Sequence, residues 1–218
     1  MEYCVRQETN GWTHIDWTVS EGVTAEMIDW HWANMDKTFF LWHPTDHYGF
    51  EWHIPVTEDR FVGAIHYTLQ SRNGKQDMTM DMVREQGMGL AYLDVADLAP
   101  EVADVIVYKH CCIVGARKHG KIDPRFNSIR IHQWEDRDGK VVGMSSAIVF
   151  GAEDLEAEKE RLMLWTKHGA LEIGNFEQFL PQLYTLYQQI PNAKVNPYHD
   201  LTVEKLPDRT ARFVNIKP

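Results

Sequence analysis

The chain has 218 residues, 44% of them hydrophobic and 25% charged, values that allow one buried core and exclude a fibrous repeat or a disordered chain. Its formal net charge of −10, with no cluster of Lys and Arg, argues against nucleic acid or an anionic membrane surface as a partner. No basic flank followed by an apolar run opens the chain and no stretch is long enough to span a bilayer, so a cytoplasmic protein is expected.

Taken in chain order, Thr13 to Val19 alternates polar and apolar positions with Ile15, Trp17 and Val19 on one face, the pattern of a strand. Thr24 offers an N-cap for a helix running to about Met35, and Lys37 to His43 reads as aromatic and irregular. Six β segments are then expected at Phe50 to Ile54, Phe61 to Gln70, Met78 to Gln86, Val105 to Val114, Phe126 to Trp134 and Val141 to Phe150. Asn73-Gly74, His119-Gly120 and Asp138-Gly139 supply reversals, since these residues tolerate the positive φ of tight hairpins, and the pairing is expected to be antiparallel.

From Glu153 onward the pattern is helical, with acidic residues in the first turn and Leu155, Leu162, Trp165 and Phe176 at helical spacing. Gly169 and Gly174 are candidate kinks. Residues 191–218 form a tail whose alternation from Thr210 to Ile216 predicts an edge strand or a strap. This order predicts one α+β domain over residues 1–218 with a helix-grip (START-like, pollen-allergen-like) fold. In that fold a curved antiparallel sheet of about seven strands wraps a long C-terminal helix and encloses a cavity.

Three cysteines without C-x-x-C spacing argue against a disulfide framework or a thiolate zinc site, while 11 histidines and 8 tryptophans point to polar chemistry in an aromatic cavity. His168 and Glu172 stand four apart on the expected last helix, so their side chains leave one face about 5–6 Å apart at Cβ, close enough to share a cation. The spacing also arises by chance from this composition, as His47 and Glu51 illustrate. A second cluster, Trp42-His43-Pro44-Thr45-Asp46-His47-Tyr48, lies in the connection before the sheet, where Pro44 restricts His43 to extended backbone.

Together, Ile28-Asp29-Trp30-His31-Trp32-Ala33-Asn34-Met35, Leu41-Trp42-His43-Pro44-Thr45-Asp46-His47 and His168-Gly169-Ala170-Leu171-Glu172 resemble the 2,4-diacetylphloroglucinol hydrolases and the related phloretin hydrolases. The similarity spans roughly Thr24 to Pro181. It implies a zinc ion in a helix-grip cavity held by His47, His168 and Glu172. The family's fourth ligand, a glutamate from the sheet, has no clear counterpart. His66 is the favoured position, with Gln70 and Glu85 as alternatives. The tyrosine that holds a phenolic oxygen in such enzymes should precede the W-H-P string, where this chain has Phe39 and Phe40, which points away from phloroglucinol itself.

The implied activity is zinc-dependent hydrolysis of a carbon–carbon bond beside a ketone, in an acyl-phenol-like or β-diketone-like substrate, by a metal-activated water. Trp30, Phe39, His43 and Trp134 are the expected substrate contacts, and His132, sharing a strand face with Trp134, is the candidate to move a proton. Two other readings stand beside this one. A helix-grip carrier would bind an aromatic or hydrophobic ligand without metal, and a non-haem Fe2+ enzyme would use the same two histidines and carboxylate. Apolar residues in the tail leave room for a homodimer.

Overall fold

The computed structural model describes residues 1–19, 22–57, 60–71, 78–118, 121–122, 128–149, 155–189, 201–205 and 211–215. Strands β1 (Glu2–Gln7) and β2 (Thr13–Val19) precede helices α1 (Ala25–Ala33) and α2 (Met35–Trp42). There follow β3 (His47–Ile54), β4 (Ile65–Gln70), α3 (Met80–Glu85), β5 (Gly89–Leu93) and α4 (Pro100–Ala103). The remainder comprises β6 (His110–Lys118), β7 (Lys121–Ile122), β8 (Ser128–Arg137), β9 (Lys140–Val149), α5 (Leu155–Gln188), β10 (Leu201–Lys205) and β11 (Ala211–Asn215).

Nine strands form one sheet in the order β1-β2-β9-β8-β6-β5-β4-β3, with β7 pairing on β6. Every pairing is antiparallel. The sheet curves about α5, which packs on β2, β9, α1 and α2, and this is the helix-grip arrangement. Side chains alternate across the strands. Cys112, Val114, Trp134 and Ala147 join the core under α1, α2 and α5, whereas Ile113, Ile129, Ile131 and Ile148 join a second cluster that includes Val102 of α4.

Several expectations hold to the residue. β2 spans Thr13–Val19, and the Thr24 hydroxyl accepts from Met27 N at 3.3 Å to cap α1. Asp138 and Gly139 take φ of 52° and 76° between β8 and β9, the positive pair that a two-residue type I′ hairpin requires. The other two expected reversals, Asn73-Gly74 and His119-Gly120, lie outside the described residues.

Other expectations are corrected. Lys37 to His43 is not irregular. Asn34 ends α1 at φ −126°, ψ 37°, and its carbonyl then accepts from Lys37 N and Thr38 N, so α2 starts at once in a new direction. Burial of Phe39, Phe40 and Trp42 outweighs their modest helix propensity. Met78 to Gln86 is not a strand, because Thr79 caps a short helix by accepting from Met82 N at 3.3 Å and Val83 anchors it in the core.

β1 and β5 had no clear signal. The first is a solvated edge strand, and the second is five residues led by glycine. Val105 to Val114 becomes a strand only from His110. α5 runs unbroken for 34 residues through Gly169, Gly174 and Pro181. The described part of the tail forms a separate hairpin, β10 with β11. Its first strand lies against α2, so it is a strap and not a sheet edge.

Candidate metal centre

α2 ends at Trp42, and the chain turns through His43 to Asp46 before β3 begins at His47. His47 Nδ1 donates to the Phe39 carbonyl at 2.5 Å, and the Phe39 ring stacks on the imidazole with centroids 3.8 Å apart. That bond places the ring proton on Nδ1 and leaves the Nε2 lone pair available. From α5, His168 and Glu172 reach the same point one helical turn apart.

His47 Nε2 lies 3.3 Å from His168 Nε2 and 3.1 Å from Glu172 Oε1, and His168 Nε2 lies 3.1 Å from the same oxygen. All three side chains are buried. Tetrahedral zinc with bonds of about 2.0–2.1 Å separates its ligand atoms by about 3.3–3.4 Å, so this triangle fits the ion. The donor set fits as well, since two imidazole nitrogens and a carboxylate oxygen are donor atoms that zinc accepts.

Electrostatics agree with the geometry. Burial opposes charge on Glu172, yet His168 and His47 hold its carboxyl well below the usual range. Burial also works against the His168 imidazolium, but Glu172 and Asp46 outweigh it and raise the pKa. His47 goes the other way, because burial lowers it despite Glu172 and the Phe39 carbonyl.

The surroundings of His168 are built by the loop. Its Nδ1 faces Asp46 Oδ2 at 3.4 Å, and the His43 ring stacks on it with centroids 4.2 Å apart and planes 12° from parallel. His43 is itself held by Asp46 N, which donates to its Nδ1 at 3.2 Å. His43 therefore packs behind His168, and it is absent from the cavity lining.

His168 and Glu172 line a cavity of about 40 Å³, larger than the roughly 30 Å³ that one water occupies in the liquid. Trp32, Met35, Phe39, Trp42 and Trp165 form its helical wall, and His66, Thr68, Gln70, Leu90, Val114, Arg130 and His132 form its sheet wall. His132 Nδ1 pairs with Ser145 Oγ at 3.0 Å, and Trp17 Nε1 donates to the same hydroxyl at 3.1 Å. Burial, followed by the field of Arg130, lowers the His132 pKa to about 4 against the pull of Glu172.

The fold thus brings together His47, His168 and Glu172, the three residues expected to hold a metal, and Phe39 lines the cavity beside them. The fourth ligand does not fall on His66, which lines the cavity but is not among the donors lying within 4.8 Å of one another. Its ring sits among Phe50, Trp52 and Tyr92, and burial lowers its pKa to about 3. Glu85 is exposed on α3. Gln70 both lines the cavity and pairs with His47 across β3 and β4.

Two expected substrate contacts lie elsewhere. Trp134 is fully buried and donates through Nε1 to the Ala25 carbonyl at 3.1 Å, tying β8 to the start of α1. Trp30 lines a different cavity, against Tyr184 and Tyr187. Conversely, Asp46 and Arg130 were given no role from sequence. Asp46 lay inside the W-H-P-x-D-H string, and Arg130, two positions before His132 on a strand, shares its face by the same alternation.

No family model and no curated protein matches the chain. Among solved structures, protein Ms6760 from Mycobacterium smegmatis is similar at a TM-score of 0.48 and 14% identity, covering 82% of this chain and 98% of its own. Ara h 8.0201 follows at 0.45 and 11%, covering 78% and 98%. The Aha1 dimer from Colwellia psychrerythraea gives 0.44 and 9%, covering 78% and 96%. At such identities the likeness concerns the course of the chain alone.

Proposed function

We propose that this protein is a zinc-dependent hydrolase that cleaves a carbon–carbon bond in a ketonic substrate, acyl-phenol-like or β-diketone-like, releasing a carboxylic acid. The observation that carries the reading is the buried triangle of His47 Nε2, His168 Nε2 and Glu172 Oε1, with sides of 3.1–3.3 Å, two of whose residues line a cavity walled by Trp32, Trp42 and Trp165.

When bound, zinc polarises a ketone oxygen and lowers the pKa of a coordinated water from 15.7 towards about 7. The chain's own residues do the rest. His47, His168 and Glu172 would hold the ion, and His168 and Glu172 also line the cavity. Trp32, Trp42 and Trp165 exclude bulk water, which strengthens every polar interaction inside. In the overall change one water is consumed, its oxygen joins the acyl carbon and one proton ends on the released carbon. His132 is neutral near pH 7, so it works as an oriented hydrogen-bonding group or relays a proton drawn from water, and does not store one.

The test is metal analysis of protein purified without added ions, combined with acid release from a panel of acylated phenols and β-diketones. Stoichiometric zinc with acid release supports hydrolysis. Iron with dioxygen consumption supports an oxygenase, to which two histidines and one carboxylate are also suited. Neither metal supports a carrier. Glu172→Gln keeps the side chain's size and removes its charge, so zinc content and activity should fall together. Full zinc occupancy in that variant would remove Glu172 from the ligand set.

A further inference from the structure

Among the described residues, the cavity beside Trp30 shares no lining residue with the one at the metal donors, and at about 640 Å³ it is far larger. That is a volume common among small-molecule sites. Helical spacing builds two of its walls. Glu26, Asp29 and Trp30 leave one face of α1, and Tyr184 and Tyr187 leave one face at the end of α5. The Trp30 ring meets Tyr184 at 5.7 Å and 77° and Tyr187 at 5.1 Å and 56°, so its two neighbours are both inclined to it. Phe61, from the connection between β3 and β4, adds a fourth ring. Trp30 is 9% exposed, and its Nε1 has no hydrogen-bond partner. A buried donor left unpaired costs stability, and an oxygen on a ligand would satisfy it.

The charge of this lining is negative. Its described residues include three carboxylates, Glu26, Asp29 and Asp94, against the guanidinium of Arg60. Glu26 accepts from the Tyr184 hydroxyl at 2.8 Å and Asp94 from Ala96 N at 2.9 Å, neutral donors that leave the charge in place. Asp29 faces His110 Nδ1 at 2.8 Å. The three are not gathered for a metal, because among the described residues neither group of donors lying within 4.8 Å of one another includes any of them. Spread carboxylates beside tilted rings suit a bulky, weakly hydrated cation, since each ring offers a negative face. We infer that this cavity is a second ligand site, independent of the hydrolase reading, that takes a small organic ammonium ion. Glu26 and Asp94 meet its charge, and Trp30, Tyr184 and Tyr187 meet its alkyl groups.

The experiment is calorimetric titration of the full chain with choline against neohexanol, the alcohol of the same shape in which carbon replaces the nitrogen. Choline should bind at least about tenfold tighter. Glu26→Gln combined with Asp94→Asn keeps both side chains as hydrogen-bond acceptors and removes two charges. Both residues are exposed, so the fold is not at stake, and the preference for choline should vanish at unchanged metal content. Tyr187→Leu removes one ring face and should weaken choline while leaving neohexanol as it was. Equal affinity for the two probes, or a preference that survives the double variant, overturns the site. Calcium that competes with choline one for one makes this a metal site and overturns the proposal as well. Flotation with phosphatidylcholine vesicles, lost in the double variant, places the ammonium on a lipid headgroup. Choline binding without flotation leaves a free small molecule as the ligand.

Discussion

His168 Nδ1 faces the Asp46 carboxylate at 3.4 Å, on the side of the ring opposite Glu172 and His47. A carboxylate behind a ligating imidazole fixes its tautomer and raises its basicity, and losing such a partner weakens metal binding about 10–100-fold. Asp46→Asn keeps the shape and removes the charge, so zinc affinity measured by chelator competition should drop by that factor. The thermal midpoint of the metal-free protein should barely move. Unchanged affinity would mean that the His43 stack alone holds the ring.

The metal-free protein should lose stability as pH falls below neutral. Burial holds His31, His66 and His132 neutral, with pKa values of about 3, 3 and 4, against about 6.5 in an unfolded chain. The unfolded state therefore binds more protons as pH falls. Stability is fully present above about pH 7 and is lost below pH 6.5, at about 1 kcal/mol for each histidine by pH 5.5. Urea midpoints at pH 7.5 and 5.5 check this, and equal midpoints would show that these rings are not held neutral.

Gly143→Ala should be strongly destabilising. A Cβ there would sit 2.5 Å from the Gln133 carbonyl oxygen and collide with the Trp17 ring. The carbonyl belongs to the β8–β9 pairing and cannot yield without breaking it, so a loss of about 1–3 kcal/mol or more is expected from overpacking. Chemical denaturation of the two proteins measures it.

Ser145→Ala probes the chain from Trp17 to His132. It strips the shared hydroxyl from Trp17 Nε1 and His132 Nδ1, and buried groups left unpaired lower stability by about 1–3 kcal/mol. The hydroxyl makes no bond to His47, His168 or Glu172, so zinc content should be unchanged while kcat falls with little change in KM. Zinc loss in this variant would show that the hydroxyl supports the centre itself.

What was legible in the sequence was local. Thr13 to Val19, the Thr24 cap and the Asp138-Gly139 reversal each write their conformation into two to seven neighbouring residues. His168 and Glu172 needed only one helical turn to be brought together. β1 escaped because an edge strand solvated on both faces has no alternation to read, and α2 because its aromatic residues form a helix only through tertiary burial. Alternation assigned His132 and Trp134 to one face correctly, yet depth along that face depends on what packs above it. Over Trp134 lies the start of α1, and over His132 lies the cavity. For His43 the motif marked importance without direction, and only the folded loop turns the ring behind His168.

His47 and His168 are 121 residues apart, so a cation between them ties the first quarter of the chain to its last long helix. The entropy of closing so large a loop must be overcome by the sheet and α5 before the donors meet, which puts the ion late in the order of assembly. Interactions formed after the rate-limiting step slow unfolding and leave refolding nearly untouched. A metal bound there would therefore lengthen the lifetime of the finished molecule, and a chain without it would reach the same fold at nearly the same speed and leave it sooner.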